Sequence, residues 1–186
     1  LGLAHTRWAT HGAPSERNAH PHIAADRVAV VHNGIIENHA ELRAELLARG
    51  DPIESDTDTE LIAHLIHHAL DDSADLLTAV RACLARLRGA YAIAVIDLAA
   101  PDRLVVARSG SPLVIGVGIG EHFVASDSAA LLPVTQQFRY LEEGDVAEIW
   151  RTGVRVLDRS GQPVERPLRR SRLADETLDR GAYRHF

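Results

Sequence analysis

The chain has 186 residues, 46% of them apolar and 25% charged, the mix of a soluble globular domain with its own core rather than of a disordered segment. Its formal net charge is −6 with acids and bases interspersed, which leaves no basic face for nucleic acid. No apolar run approaches the roughly 18 residues that a membrane-spanning helix needs, so no membrane partner is expected.

A single cysteine excludes an internal disulfide framework and fits a reducing, cytoplasmic setting. The sequence holds no methionine and opens on Leu1-Gly2-Leu3-Ala4 without a signal-peptide pattern. With Tyr183-Arg184-His185-Phe186 at its other end, it is expected to be an internal piece of a longer polypeptide.

Residues 1–22 are rich in His, Thr, Asn and Pro and read as a short strand running into a long loop. The β-branched run 28–32 predicts a strand that closes on the turn signal Asn33-Gly34. Residues 38–49 predict a helix: Asn38 with Glu41 forms a capping-box pattern, Leu42, Leu46 and Leu47 share a face, and Gly50 stops it. A second helix is expected from Thr57, with Glu60 three residues on and a stripe of Leu61, Ile62, Leu65, Ile66 and Leu70. A third spans 73–88, closed by Gly89.

Beyond Gly89 the texture changes to short Val- and Ile-rich strands over 91–97, 103–108, 113–117, 122–125, 145–150 and 154–157. Their meander-like spacing favours antiparallel pairing. The charged stretch 163–186 lacks periodicity and reads as a linker after a domain of residues 1–162. The expected class is α+β, two antiparallel sheets between helix layers.

The densest chemistry lies in His5-Thr6-Arg7-Trp8-Ala9-Thr10-His11-Gly12, Asn18-Ala19-His20-Pro21-His22 and His32-Asn33-Gly34. Such a loop makes a poor core but offers many donors to an anionic ligand; the plain alternative is a polar surface loop. Asn33-Gly34 reads either as a turn or as an amide and a backbone N–H able to hold a developing oxyanion. Asp58, at a helix start, either complements the helix dipole or receives a ligand ammonium group. His20 with His22, or His64, His67 and His68, lack the companions of a closed metal site, so no metal is expected. The latter three are expected on the wet side of the second helix. Gly110-Ser111-Pro112 and Gly116-Val117-Gly118 match no phosphate-binding pattern, and no cofactor is expected.

Seven segments in order carry a resemblance. Arg7-Trp8-Ala9-Thr10-His11-Gly12, Asn18-Ala19-His20-Pro21-His22, His32-Asn33-Gly34-Ile35-Ile36-Glu37-Asn38 and Thr57-Asp58-Thr59-Glu60 form its first half. Arg88-Gly89-Ala90-Tyr91, Ser109-Gly110-Ser111-Pro112-Leu113 and Leu141-Glu142-Glu143-Gly144-Asp145 complete it. The sequence resembles the glutamine–fructose-6-phosphate aminotransferase family (glucosamine-6-phosphate synthases) in its class II glutamine amidotransferase domain.

The resemblance implies an N-terminal-nucleophile hydrolase fold, a four-layer αββα sandwich, here incomplete at its N-terminus. It also implies a glutaminase, in which an N-terminal cysteine attacks the side-chain amide of L-glutamine with its own α-amine as base. A glutamyl thioester is then hydrolysed, and the ammonia serves glucosamine 6-phosphate synthesis in a sugar-isomerase domain of the same polypeptide, itself a homo-oligomer. By the same resemblance, Arg7 would pair with the glutamine α-carboxylate, with Thr10, His11 and His20 completing that end of the pocket. Asp58 would hold the α-ammonium, Asn33 and Gly34 would form the oxyanion hole, and Trp8 would lie in the closing loop.

Two departures stand out: the leading cysteine segment and the sugar domain are absent, so the piece as written is expected to be inactive. The alternatives are the glutaminase part of an amidophosphoribosyltransferase or another related amidotransferase, and a non-catalytic glutamine-binding module. Cys83 falls on an apolar stripe with Leu76, Leu77, Val80, Leu84 and Leu87 and is expected in the core.

Overall fold

A computed structural model of the chain describes residues 1–6, 12–72 and 75–171. Eleven strands and three helices appear among them: β1 (His22–Ala24), β2 (Val28–Ile36), α1 (His39–Arg49), α2 (Thr59–Asp72), α3 (Leu76–Leu84), β3 (Gly89–Asp97), β4 (Arg103–Ser109), β5 (Val114–Val117), β6 (His122–Ala125), β7 (Gln137–Tyr140), β8 (Val146–Trp150), β9 (Gly153–Leu157), β10 (Pro163–Val164) and β11 (Leu168–Arg170). They form a seven-stranded sheet, β1-β2-β3-β4-β8-β9-β10, and a four-stranded sheet, β11-β7-β5-β6. Every pairing between named strands is antiparallel.

Period-2 alternation divides the strands between apolar clusters. Val28, Val30, Ile93, Val95 and Val105 face the helices and pack with Leu61, Ile66 and Val80. Ala92, Ala94, Val106 and Ile149 face the other way and meet Leu113, Ile115 and Leu141 between the sheets. On the outer side of the small sheet, Val114 and Phe138 pack with Leu131 and Leu132, at the 3-10 turn Ser128–Leu131. The result is the expected α+β sandwich.

Several local expectations are corrected. The strand predicted to end before Asn33-Gly34 runs on to Ile36, with Asn33 paired to Ala92 and Gly34 to Tyr91. Asn38 stands at the N-cap of α1, but its side chain makes no capping hydrogen bond there. Its amide instead bridges to the chain before β3, donating to Arg86 O (3.0 Å) and accepting from Arg88 N (2.9 Å). Leu47, expected on the apolar face of α1, is 53% exposed.

α2 is buried from Thr59 through Ile66, because α1, α3, β1 and β2 all pack against it. His64 is therefore only 4% exposed rather than on a wet face. Its Nδ1 lies 3.3 Å from Asp51 Oδ1, which His68 Nε2 also meets at 2.7 Å. α3 is shorter than predicted; Asp75 caps it by accepting from Thr78 N at 3.0 Å.

Sheet pairing does not stop at residue 162, where a linker was expected. β10 joins β9 in the large sheet and β11 joins β7 in the small one. Between them Arg166 forks onto the fully buried Asp145, Nε to Oδ2 and Nη2 to Oδ1, both at 2.8 Å. A buried carboxylate demands such a partner, so the arginine that looked like part of a charged tail secures the sandwich.

A second fork joins Arg27 to Asp97 at 3.0 Å through both nitrogens. Burial raises the Asp97 carboxyl, but the Arg27 hydrogen bond and the Ala99 N–H outweigh it and hold the group below its ordinary value. A lowered folded-state value means that this stabilisation is present above the unfolded pKa, roughly 3.9, and is lost as pH falls through the folded value. Arg27→Ala is expected to cost about 1–3 kcal/mol at neutral pH and to move the acid-unfolding midpoint upward. Circular-dichroism titration of both proteins checks this; coincident acid transitions would show that the fork contributes nothing.

Candidate functional site

The site grows from the second half of β2. β1 covers one edge of β2 only as far as Val30, and from His32 onward that edge pairs with no strand among the described residues. The His32 N–H reaches His20 Nδ1 at 3.4 Å, and the Ile36 N–H donates to Asp58 Oδ2 at 2.8 Å. His32 points into the helix side of the sheet, its Nδ1 3.1 Å from Thr59 Oγ1. Asn33, next in the pleat, is exposed on the other face.

Next along the strand, Gly34 adopts φ +135°. A Cβ there would stand 2.0 Å from Ala90 O and 2.9 Å from Tyr91 Cα, which only glycine avoids. The Asn-Gly pair is therefore a strand segment in tight contact with β3, and the turn reading fails.

Asp58 is placed by the polar entrance to α2. Thr57 Oγ1 accepts from Glu60 N at 3.3 Å, while the Glu60 carboxylate reaches back to Glu54 N (2.8 Å), Ser55 N (2.7 Å) and Ser55 Oγ (2.6 Å). This is a capping box whose return arm lands two and three residues early. It anchors the turn that presents Asp58, 4% exposed, to the open edge of β2. Thr57 Oγ1 also lies 2.9 Å from His22 Nε2, so the helix start and β1 are joined.

A cleft of about 270 Å³ results, lined by His5, Thr6, His20, His32, Asn33, Gly34, Ile35, Thr57, Asp58 and Thr59. Four of the eight expected site residues, His20, Asn33, Gly34 and Asp58, meet there. Arg7, Trp8, Thr10 and His11 lie outside the described residues. Thr6 on one flank lines the cleft. On the other flank Asn18, 1% exposed, donates to Ala13 O (2.9 Å) and Asp56 Oδ2 (3.2 Å) and accepts from Asp56 N (2.9 Å). Asn18 and Ala13 are thereby tied to the segment leading into Asp58. Hydrogen bonds from Asn18 and Arg17 pull the Asp56 carboxyl below its usual range.

A wider groove of about 1,080 Å³ opens between the sheets and shares His5, Thr6, His32 and Asn33 with the cleft. Among the described residues, no three His, Cys, Asp or Glu side chains are grouped to hold a metal ion, and no helix is long and apolar enough to cross a membrane.

The glutamine amidotransferase domain family matches residues 5–133, which include all of these side chains. The chain belongs to that family. Over all 186 residues this amidotransferase chain is 59% identical to the glutamine–fructose-6-phosphate aminotransferase (isomerizing) of Pseudomonas syringae and 60% identical to that of Idiomarina loihiensis. It spans 30% of the length of each. Among solved structures it resembles the glutamine phosphoribosylpyrophosphate amidotransferase of B. subtilis, with TM-score 0.67 and 28% identity, over 86% of this chain and 35% of that one. The fold is thus the α+β sandwich of N-terminal-nucleophile amidotransferases.

Within the amidotransferase fold no individual role was legible in the sequence for His5, Asn18, His32 or Thr59. Each works through a partner distant in sequence, so no spacing marks it. Cys83 is 1% exposed, and burial pushes its thiol up to about 12, far from a nucleophile's range. Native protein treated with a thiol reagent at pH 8 is expected to label Cys83 only on the timescale of unfolding. Labelling as fast as in denaturant would contradict that burial.

Proposed function

We propose that this chain is the glutamine-hydrolysing part of a glutamine–fructose-6-phosphate aminotransferase, releasing ammonia for glucosamine 6-phosphate synthesis. The observation that carries the reading is the meeting of Asn33, Gly34 and Asp58 at one strand edge, in a chain 59–60% identical to relatives of that name. The 28% identity to the phosphoribosylpyrophosphate enzyme makes the sugar aminotransferase the better supported of the two.

The charges divide the labour. Asp58 receives the substrate ammonium, and Arg7 takes the α-carboxylate, where a planar guanidinium fits two oxygens. Thr10, His11 and His20 complete that end, and Trp8 closes over it. The side-chain amide of glutamine is left towards Asn33 and Gly34. The alternation of β2 sends the Gly34 N–H to the edge used by the His32 and Ile36 N–H groups. With the Asn33 amide it supplies two neutral donors for the oxyanion that forms as a thiolate adds to the carbonyl.

Cys83 is too buried for that attack; the family resemblance supplies instead an N-terminal cysteine of the longer polypeptide, using its own α-amine as base. The sugar-isomerase domain follows this one in the same chain, and the whole is a cytoplasmic homo-oligomer.

The test uses the full-length polypeptide. It is expected to release glutamate from glutamine and to form glucosamine 6-phosphate from fructose 6-phosphate only when glutamine or ammonia is supplied. Glutamine hydrolysis that feeds a phosphoribosyl acceptor instead would replace the sugar reading. Glutamine binding without turnover would leave a binding module.

A further inference from the structure

His5 precedes residues 7–11, yet its side chain reaches across to β2. His5 Nε2 lies 2.7 Å from Asn33 Oδ1. An amide oxygen only accepts, so in this contact the His5 Nε2–H is the donor. The other nitrogen, Nδ1, is buried with no hydrogen-bond partner among the described residues, so the contact to Asn33 is the polar contact that orients the ring.

His20 supports it from behind, its ring centroid 4.3 Å from that of His5 at 33°. His20 in turn meets His22 edge-on at 5.2 Å, and His22 touches Thr57 at the start of α2. Three histidine rings thus link the turn that presents Asp58 to the amide of Asn33.

The contact bears on a two-fold ambiguity. An asparagine amide has an accepting end and a donating end of nearly the same shape, and rotation by half a turn exchanges them. With the oxygen towards the reacting carbonyl, Asn33 would repel the developing negative charge; with the NH₂ there, it stabilises it. We propose that His5 is a positioning residue that holds Asn33 Oδ1 and so leaves Nδ2 as the end offered to the amide carbonyl oxygen of the substrate. The proposal rests on Asn33 being the oxyanion donor.

The experiment is steady-state glutaminase kinetics on the full-length enzyme. His5→Phe keeps an aromatic ring against His20 and removes the donor; it is expected to lower kcat roughly 10-fold with the glutamine KM within about two-fold, the signature of an interaction made mainly in the transition state. His5→Gln, which restores an N–H donor, is expected to recover most of that loss. In an Asn33→Ala background His5→Phe is expected to add nothing, because the two act as one unit.

Full additivity of His5→Phe with Asn33→Ala, or a loss confined to KM and melting temperature, overturns the positioning role while leaving Asn33 as the donor. A silent Asn33→Ala strikes at the oxyanion reading itself, so the two failures are distinguishable. If His5→Phe does not fold, His5→Leu also lacks the donor and carries the same comparison against His5→Gln.

Discussion

Asn33→Ala is expected to lower kcat for glutamine hydrolysis by about 10²–10³ while changing the glutamine KM little, since losing one oxyanion donor acts only as charge develops. The structure makes this variant a clean one. Asn33 is exposed on β2, its backbone pairing with Ala92 involves no side chain, and its amide meets His5 rather than any core group. Truncation therefore leaves no buried polar atom of the sheet unpaired. Stopped-flow or coupled glutamate assays on the full-length enzyme, with thermal melting as control, check the split. A variant with normal turnover and a lowered melting temperature would make Asn33 a structural residue only.

Asp58→Asn is expected to do the reverse, raising the glutamine KM by roughly 30-fold or more with kcat nearly preserved. Loss of one charged partner in a desolvated contact costs about 2–5 kcal/mol, and each 1.4 kcal/mol is tenfold in affinity. Asparagine is chosen over alanine because Asp58 Oδ2 accepts the Ile36 N–H at 2.8 Å. An amide oxygen can keep that bond, so the edge of β2 stays satisfied while the charge is removed. Glutamine analogues lacking the α-amine should then lose their disadvantage in the variant. Equal discrimination against them in both proteins would show that Asp58 does not contact the ammonium.

Much of the architecture was legible because it is local. Periodic leucines and isoleucines marked α1 and α2. Gly50, at φ +90°, stopped α1 where expected, and the Val- and Ile-rich runs became β3, β4 and β8. The elements that escaped notice are set by their partners. β7 buries Phe138 within a four-residue strand too short to show a period. The turn between β1 and β2 places Ala25 and Asp26 at φ 50° with neither glycine nor asparagine to announce it.

The same division runs through the site. The sequence by itself determined which residue types were available: an Asn-Gly pair, an acid at a helix start, and histidines clustered in three short segments. Only the tertiary structure decided what they are. Asn33-Gly34 is a strand and not a turn because β3 supplies nine paired positions along β2, an energetic gain that outweighs the local preference of Asn-Gly to bend. Gly34 is needed because Ala90 O, 56 residues on, occupies the place of a side chain. His64 is buried because α2 is enclosed by four other elements, and Arg166 belongs to the sandwich because Asp145 is sealed inside it. Period, caps and turns depend on neighbours along the chain; burial, register and the pairing of charges depend on neighbours across it, and those are fixed only when the layers close.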